Sequence, residues 1–150
     1  MRDAIGQVFT LQIILVFVLL INGYMAYSVN YTRAFRVKNQ IVNIVEQYEG
    51  PYNDEGLEKI NSYIQQTSYN VTNSQMTDYI SDTNGAAECP GYNGWCYVEH
   101  DVSLNDADGE RNGKYYTIVT FVNIDIPVIN KIVGLGSFLR VVGETRTIYE

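Results

Sequence analysis

Hydrophobic residues follow three patterns along the chain, and each pattern predicts a different kind of element. The first is a continuous apolar run from Val8 to Ile21, which with its flanks is long enough to span a bilayer as a helix. Tyr24, Tyr27 and Tyr31 follow at helical spacing, as is typical where a helix leaves the hydrocarbon for the headgroup layer. This run therefore predicts a helix that has to be covered by lipid or by other apolar helices.

The second pattern is that of an amphipathic helix, and it follows without interruption. Its apolar positions recur at steps of three and four residues: Val37, Ile41, Ile44, Val45 and Tyr48. No proline occurs between Ala4 and Tyr48, so both patterns together predict one helix of about 45 residues, about 67 Å long. It is expected to end at Gly50-Pro51. Because the apolar stripe of the second half cannot face water, we expect it to pack on a globular partner.

A second helix is predicted from Asp54 to about Gln66, with Asn53 or Asp54 as its N-cap. The next stretch, residues 67–94, is rich in Asn, Thr, Ser and Gly. It predicts a loop with a short turn around Met76–Ile80.

The third pattern has a period of two residues and predicts strands. Tyr97–Leu104 and Lys114–Ile126 flank the turn-rich sequence NDADGERNG, which is a hairpin signal. Pro127 is expected to stop the second strand, and VINKIVGLG to form one helical turn or a loop. Ser137–Tyr149 alternates again and predicts a final edge strand, protected by charged residues.

Together these patterns predict an α+β fold in which a long N-terminal helix packs on a small antiparallel sheet. Residues 1–32 would hold a short leader and the apolar helix, as a membrane or filament-core element. Residues 33–150 would hold the amphipathic continuation and an extracellular α+β domain.

Charge is distributed unevenly. Residues Ala4–Thr32, a span of 29 residues, carry no charge, whereas 16 acidic and 6 basic residues follow Lys38, a balance of −10. A surface this acidic, beyond Lys38, repels phosphate backbones and anionic lipids, so we expect no nucleic-acid binding.

Two cysteines, Cys89 and Cys96, enclose a short loop that contains Pro90 and two glycines. This spacing favours a disulfide, with two free thiols as the alternative. A metal site would need two further ligands, which the single histidine of the chain, His100, cannot supply. A disulfide would place the C-terminal part outside the cytoplasm.

The basic residues point to the opposite orientation. Arg33, Arg36 and Lys38 follow the apolar span, and only Arg2 precedes it, so the positive-inside rule taken alone places the C-terminal part in the cytoplasm. We give the cysteine loop more weight, because the basic residues lie on an amphipathic helix that can have its own partners.

The candidate chemical sites are better explained as ordinary structural elements than as catalytic or metal sites. Glu99-His100-Asp101 lies in a predicted strand, where neighbours point to opposite faces, and no nucleophile motif accompanies it. We therefore interpret it as an ordinary exposed strand and do not expect an enzyme. Asp106, Asp108 and Gly109 match part of a calcium loop, but two ligand positions fail, so a solvated hairpin tip is the preferred interpretation.

The aromatic loop residues Tyr92, Trp95 and Tyr97 can be either a contact patch or hydrophobic cover for the sheet; we prefer the second interpretation.

Three interpretations of the apolar helix remain open. A removable signal would need small residues before a cleavage site, and Ala26-Tyr27-Ser28 is a mediocre match. A plain membrane anchor is the second interpretation, and a filament subunit is the third.

The third interpretation is supported by a resemblance. An apolar helix that continues into an amphipathic half, a mid-chain helix and the ending FVNIDIPVINKIVGLGSFLRVVGETRTIYE resemble type IV pilin-like proteins. More narrowly, they resemble the TadE-like group of tight-adherence pilus proteins and pseudopilins. The resemblance implies a pilin-like fold and a structural subunit, major or minor, of a bacterial surface filament or secretion apparatus.

The resemblance also implies a processing site. In such proteins a prepilin-type peptidase cuts after a glycine just before the apolar helix, and Gly6 followed by Gln7 is the matching position. The family usually has an acidic residue five positions into the mature chain, where this sequence has Leu11.

Assembly would join copies of the chain, or related pilins, through the helix after a stage in the membrane. The residues expected to be buried in this way are Val8, Phe9, Ile13, Ile14, Val16, Phe17, Leu20 and Ile21. Asn22 and Gly23 would allow a bend where the helix leaves the filament core. No cofactor is required. The alternative is a single-pass, membrane-anchored extracellular binding module that uses its tyrosine-rich sheet or its cysteine loop.

Overall fold

The structure is a computed structural model that describes residues 2–67, 69, 71–106, 109–123 and 139–149, with the backbone alone for residues 2–5 and 104–111. The helices in this part of the chain are α1 (Arg2–Gln47), α2 (Asp54–Gln66) and α3 (Asn73–Asp82). The strands are β1 (Ala87–Glu88), β2 (Trp95–Asp106), β3 (Gly109–Phe121), β4 (Arg140–Glu144) and β5 (Ile148–Tyr149), with a short 3-10 turn at Pro90–Tyr92. The predicted α+β class, with a long N-terminal helix on a small antiparallel sheet, is confirmed.

Helix α1 combines both predicted helical patterns in one element of 46 residues. Four residues of its predicted apolar stripe, Val37, Ile41, Ile44 and Val45, are buried in the core together with Ala34, whereas the fifth, Tyr48, is only half buried. The chain then turns at Glu49 and Gly50, which both have positive φ angles. This turn brings α2 back against α1.

Helix α2 has the predicted bounds. The side chain of Asn53 caps it by accepting a hydrogen bond from the Glu55 backbone N–H at 2.9 Å, and the acidic first turn suits the positive end of the helix. Ile60 and Ile64 are its buried apolar residues.

The prediction for residues 67–94 was wrong in two respects, because helix α3 and the short strand β1, which pairs with β2, both lie in the predicted loop. A ten-residue helix, α3, stands where only a short turn was expected around Met76–Ile80. Met76 and Tyr79 bury one side of α3, and Tyr79 makes an edge-on ring contact with Phe121. Tertiary packing therefore stabilises a helix that its polar composition does not favour.

The sheet has the strand order β1-β2-β3-β4, and β5 also pairs with β3. Strands β2 and β3 form the predicted hairpin, but they extend through most of the predicted turn, with continuous pairing from Trp95–Thr120 to Asp106–Gly109. Both faces of β3 are covered, because Ile118 and Val119 are buried on opposite sides. Residues 124–138, which include the predicted strand end, stop and turn, lie outside the described residues.

The predicted last strand, Ser137–Tyr149, is two strands in the structure. Its alternating pattern is interrupted at Thr145, whose side chain is buried and accepts a hydrogen bond from the Tyr116 backbone N–H at 2.9 Å. The Thr145 backbone N–H donates in turn to the Tyr116 carbonyl at 3.0 Å. This local exchange replaces regular ladder pairing and separates β4 from β5. Strand β4 lies at the end of the strand order, as the edge prediction required.

Strand β3 runs in the opposite direction to α1. Near its end, the Thr120 hydroxyl donates to the Ala34 carbonyl at 2.9 Å. Further back, the Tyr116 hydroxyl lies 3.5 Å from the position that a Cβ would occupy on Gly50, just after α1 ends. The part of the hairpin beyond these contacts, residues 101–106 and 109–112, is called the ribbon below. It lies at the opposite end of the molecule from the start of α1.

Candidate assembly surface

The first half of α1 projects without cover and forms the candidate assembly surface. We call Gly6–Asn22 the stem and the described residues from Ala34 onward the body. Every stem side chain is exposed, and its twelve large hydrophobic residues from Val8 to Ile21 are 49–65% exposed. Helix α1 is long and apolar enough to cross a membrane, and none of its most apolar segment is buried. The predicted assembly residues therefore share one continuous, unpartnered surface.

The magnitude of this exposure requires a covering environment. Full burial of a large apolar side chain is worth about 1.5–3 kcal/mol, so covering one that is half exposed contributes about 1 kcal/mol. Across the twelve side chains of the stem the sum is about 12 kcal/mol, comparable with the whole stability of a typical domain, about 5–15 kcal/mol.

Polar side chains of α1 are partly satisfied within the helix itself. The Thr10 hydroxyl donates to the Gly6 carbonyl at 2.9 Å, and the Asn22 amide donates to the Val18 carbonyl at 2.8 Å. Such bonds to the preceding turn reduce the cost of placing these groups among apolar neighbours.

The residues predicted to bend or to be cleaved lie within regular helix. Asn22 and Gly23 have helical neighbours on both sides, and Gly6 and Gln7 lie in the first turns of α1, exposed. A Cβ on Gly6 would have no neighbour within 4 Å. The bend and the cleavage therefore stay predictions, since nothing in this arrangement tests either of them.

The stem continues into the body through residues 23–38 of α1, which we call the junction and which include the first residues of the body. Gly23, Ala26 and Tyr27 are the first half-covered residues, and Ala34 is the first fully buried one. Thr120, itself fully buried, fixes Ala34 by the hydrogen bond described above. This packing fixes the point at which α1 leaves the body and continues into the stem.

Lys38 packs its aliphatic chain against β4. A Cβ on Gly143 would approach the Lys38 Cδ to 2.5 Å, so glycine leaves the space that the lysine fills. The Lys38 ammonium group lies 4.5 Å from the centre of the Phe35 ring. Sequence reasoning assigned Lys38 only a charge, and its packing role depends on a neighbour more than 100 positions away.

Two other basic residues of the junction lack such partners. Arg33 and Arg36 are exposed, and within the described part of the chain neither forms an ion pair. The ion pairs that do form are Lys59–Glu55, Lys114–Glu99, Arg140–Asp82 and Arg146–Glu46. Positive charge is thus left uncompensated where the stem meets the body.

The predicted disulfide between Cys89 and Cys96 is confirmed. Cys96 is fully buried, and the loop that it closes is tied to α2 by an Asn93–Asn61 side-chain hydrogen bond of 2.7 Å. A disulfide is typical of proteins that mature in an oxidising compartment. It supports an extracellular position for the body.

Tyr69 fastens the loop after α2 to the disulfide loop and to the end of β3. Its hydroxyl accepts from the Phe121 backbone N–H at 2.7 Å and lies 3.1 Å from the Gly94 carbonyl, with the Phe121 carbonyl as a second acceptor. Gly94 has a φ of 87°, and a Cβ there would approach the Tyr69 ring to 2.6 Å. Burial raises the pKa of the Tyr69 hydroxyl, so it stays protonated and can donate. Nothing in the local sequence predicted this contact.

Aromatic residues on the α1 side of the sheet are structural cover, as preferred from the sequence. Trp95 and Tyr97 are buried, whereas Tyr92 is half exposed. Tyr52 and Tyr116 meet the Tyr97 ring edge-on. Burial and a hydrogen bond with Glu88 raise the pKa of Tyr97, because both favour the neutral hydroxyl.

Glu99 forms a polar pair above this cluster. Its carboxylate binds the Lys114 ammonium group at 2.8 Å and also accepts from the Tyr52 hydroxyl. The hydrogen bond from Lys114 holds the pKa of Glu99 below its usual range. Burial and the bond with Glu99 raise the pKa of Tyr52 to about 12.

His100 lies on the other face of β2, as the alternation required, but it is half buried rather than exposed. Its ring stacks on Tyr115 at 4.6 Å between centroids, and its Nε2 lies 3.0 Å from the Thr117 hydroxyl. In the described part of the chain, no group of three or more His, Cys, Asp or Glu residues is placed to hold a metal ion. The turn at Asp106–Gly109, for which a solvated hairpin tip was preferred over a calcium loop, contains residues 107 and 108, which lie outside the described residues.

Comparisons of the chain with protein-family models, with curated proteins and with solved structures found no match. The resemblance to type IV pilin-like and TadE-like proteins therefore stays a prediction from the sequence. Any functional inference has to rest on the geometry of this chain.

Proposed function

We propose that this protein is a structural subunit of a bacterial surface filament or secretion apparatus, which assembles with copies of itself or related subunits through the stem. The observation that carries the proposal is the division of α1 into an uncovered apolar half and a half buried on the sheet. A helix of this kind can exchange lipid for neighbouring stems without any change in the body.

The energetics fit that exchange. Lipid tails are as apolar as leucine, so the hydrophobic effect favours a stem in the membrane and a stem in a bundle equally. Packing between the helices then determines whether the stems associate. The stem offers side chains of varied shape, from Phe9 and Phe17 to Val16 and Ile21, for such packing. The acidic body, with its balance of −10 beyond Lys38, would form the soluble outer surface.

Assembly through the stem is tested by changing its shape while its apolarity is kept. We would replace residues Val8–Ile21 by an equal length of alternating leucine and alanine, which still spans a bilayer. The expected result is a protein that inserts into membranes and forms its disulfide but disappears from the sheared surface fraction. A protein found only as a membrane monomer in cells that make the filament would contradict the proposal.

Processing is tested by intact mass and N-terminal sequencing of the native protein. A chain that starts at Gln7 would support cleavage by a prepilin-type peptidase, and a Gly6→Leu variant should then keep its leader. A chain that starts at Met1 would favour an unprocessed subunit or a plain anchor.

A single-pass binding module is the second candidate function. It is favoured by the ribbon, which lies at the far end from the stem. Within the described residues, β2 has no strand neighbour on its outer edge beyond Val98, and open edges of this kind can pair with an extended partner segment. Replacement of residues 1–32 by an unrelated transmembrane helix separates the candidates, because a binding module would keep its function and a filament subunit would not.

A further inference from the structure

The uncompensated arginines of the junction lie where a membrane surface would be. The uncharged span Ala4–Thr32 has 29 residues, which makes it about 43 Å long as a helix. A bilayer with its headgroup layers is about 40–45 Å thick. When this span crosses a bilayer, Arg33 therefore stands at the headgroup surface.

The direction of the side chains brings both arginines toward the lipid. In a helix the Cα–Cβ bonds tilt toward the N-terminus, so Arg33 and Arg36 lean back toward the stem. Their long aliphatic parts can extend further while the guanidinium groups stay hydrated. Tyr27 and Tyr31, whose rings lie 5.9 Å apart, occupy the turns below them.

Acidic residues of the same helix do not neutralise this charge. The next acid along α1 is Glu46, which is ten residues beyond Arg36, about 15 Å away. That distance exceeds the Debye length of about 8 Å at physiological salt. Glu46 is also engaged, since it accepts from the Arg146 backbone N–H at 2.8 Å.

We propose that Arg33 and Arg36 bind the phosphate groups of anionic lipids around the emerging helix. Guanidinium groups form bidentate hydrogen bonds with phosphate oxygens. The proposal rests on the membrane stage of the proposed function. It does not depend on which side of the membrane holds the body, because the arginines reach the leaflet on the body side in either orientation.

The test uses the full chain in vesicles and its single tryptophan, Trp95. Trp95 is buried and pairs across the sheet with Thr120, the residue that contacts Ala34, so it lies close to the junction. Energy transfer from Trp95 to trace dansyl-labelled phosphatidylglycerol or phosphatidylcholine measures which lipid collects there. Each arginine should contribute about fivefold to the preference for the anionic lipid, so R33Q/R36Q should reduce it about 25-fold.

Matched variants separate this site from general charge. Arg146→Gln removes the same charge from a side chain that is 90% exposed, within the body, and it should leave the preference unchanged. R33K/R36K should keep part of it, and added salt should weaken it, whereas inorganic phosphate at matched ionic strength should not compete further. Thermal unfolding followed by far-ultraviolet circular dichroism, together with the intact disulfide, establishes that each variant is folded.

Several results would overturn the inference. An unchanged preference in R33Q/R36Q, or an equal loss in R146Q, would do so. A loss of self-association in pure phosphatidylcholine, without a change in lipid preference, would assign the arginines to a second copy of the chain. Transfer to neither lipid would mean that the stem does not enter bilayers, in which case the proposed membrane stage fails as well.

Discussion

Removal of one hydroxyl group, in Tyr69→Phe, is expected to destabilise the body by about 3 kcal/mol, although the ring and its packing remain. The hydroxyl satisfies the Phe121 backbone N–H at 2.7 Å and lies 3.1 Å from the Gly94 carbonyl, and both backbone groups are buried. Loss of the hydrogen bond to the Gly94 carbonyl costs about 1 kcal/mol, and leaving the buried Phe121 N–H unsatisfied costs about 1–3 kcal/mol, so the sum is centred on about 3 kcal/mol. The cavity term is small, because phenylalanine keeps the ring and lacks only the hydroxyl oxygen.

The measurement is urea unfolding of the full chain in detergent, followed by the fluorescence of its single tryptophan. The midpoint should fall while the slope stays constant, since the surface exposed on unfolding does not change. Tyr63→Phe is the matched control, because Tyr63 packs on the core and its hydroxyl has no hydrogen-bond partner among the described residues. A loss below about 1 kcal/mol for the Tyr69 variant would refute the assignment of these hydrogen bonds, because even one orphaned buried group costs more.

Three further predictions concern the body. Gly94→Ala should destabilise it by about 2–3 kcal/mol, because alanine is strained at a positive φ and its Cβ would clash with the Tyr69 ring. Gly85→Ala is the control: Gly85 has a φ of 81° but no neighbour within 4 Å, so this variant should lose about 1 kcal/mol in the same urea assay. Equal losses in the two variants would contradict the clash. The double variant C89S/C96S should be less stable by about 2.5 kcal/mol, because without the closed loop the unfolded chain has more conformational entropy. The native chain should gain the mass of two hydrogens on reduction, and an unchanged mass would contradict the disulfide. Below about pH 4.3 the body should lose stability as Glu99 is protonated, because the hydrogen bond from Lys114 lowers the pKa of Glu99 in the folded state. The stabilisation is present above the pKa of the unfolded state and is lost as the pH falls through the pKa of the folded state. A Glu99→Gln variant with the same acid dependence as the native chain would contradict this prediction.

Local patterns in the sequence were sufficient for the helices and the hairpin. The bounds of α2 follow from an Asn53 cap and a regular apolar stripe, which are both local signals. Helix α3 was missed because its stability depends on contacts made by Met76 and Tyr79 with distant strands, while its own residues favour turns. The break at Thr145 was also missed, since an alternating pattern does not reveal that one side chain replaces a ladder hydrogen bond.

The candidate site was predictable in part for the same reason. Apolarity marks the stem directly, so its residues could be named from the sequence alone. Whether a charged side chain is packed, paired or free could not be predicted, because this depends on partners that folding brings together. Lys38 packs against Gly143 and Phe35, whereas Arg33 and Arg36, close by in sequence, have no ion-pair partner in the described part of the chain.

The opposite directions of α1 and β3 have a mechanical consequence. A protein held at the stem and pulled at the ribbon carries the load from one end of the molecule to the other. The helix and the central strand are then drawn past each other in shear. Contacts such as the one between Thr120 and Ala34 have to break together rather than one after another. This geometry resists force better than a peeling geometry would, and the disulfide lies beside the loaded strand pair, where it limits how far the chain can extend.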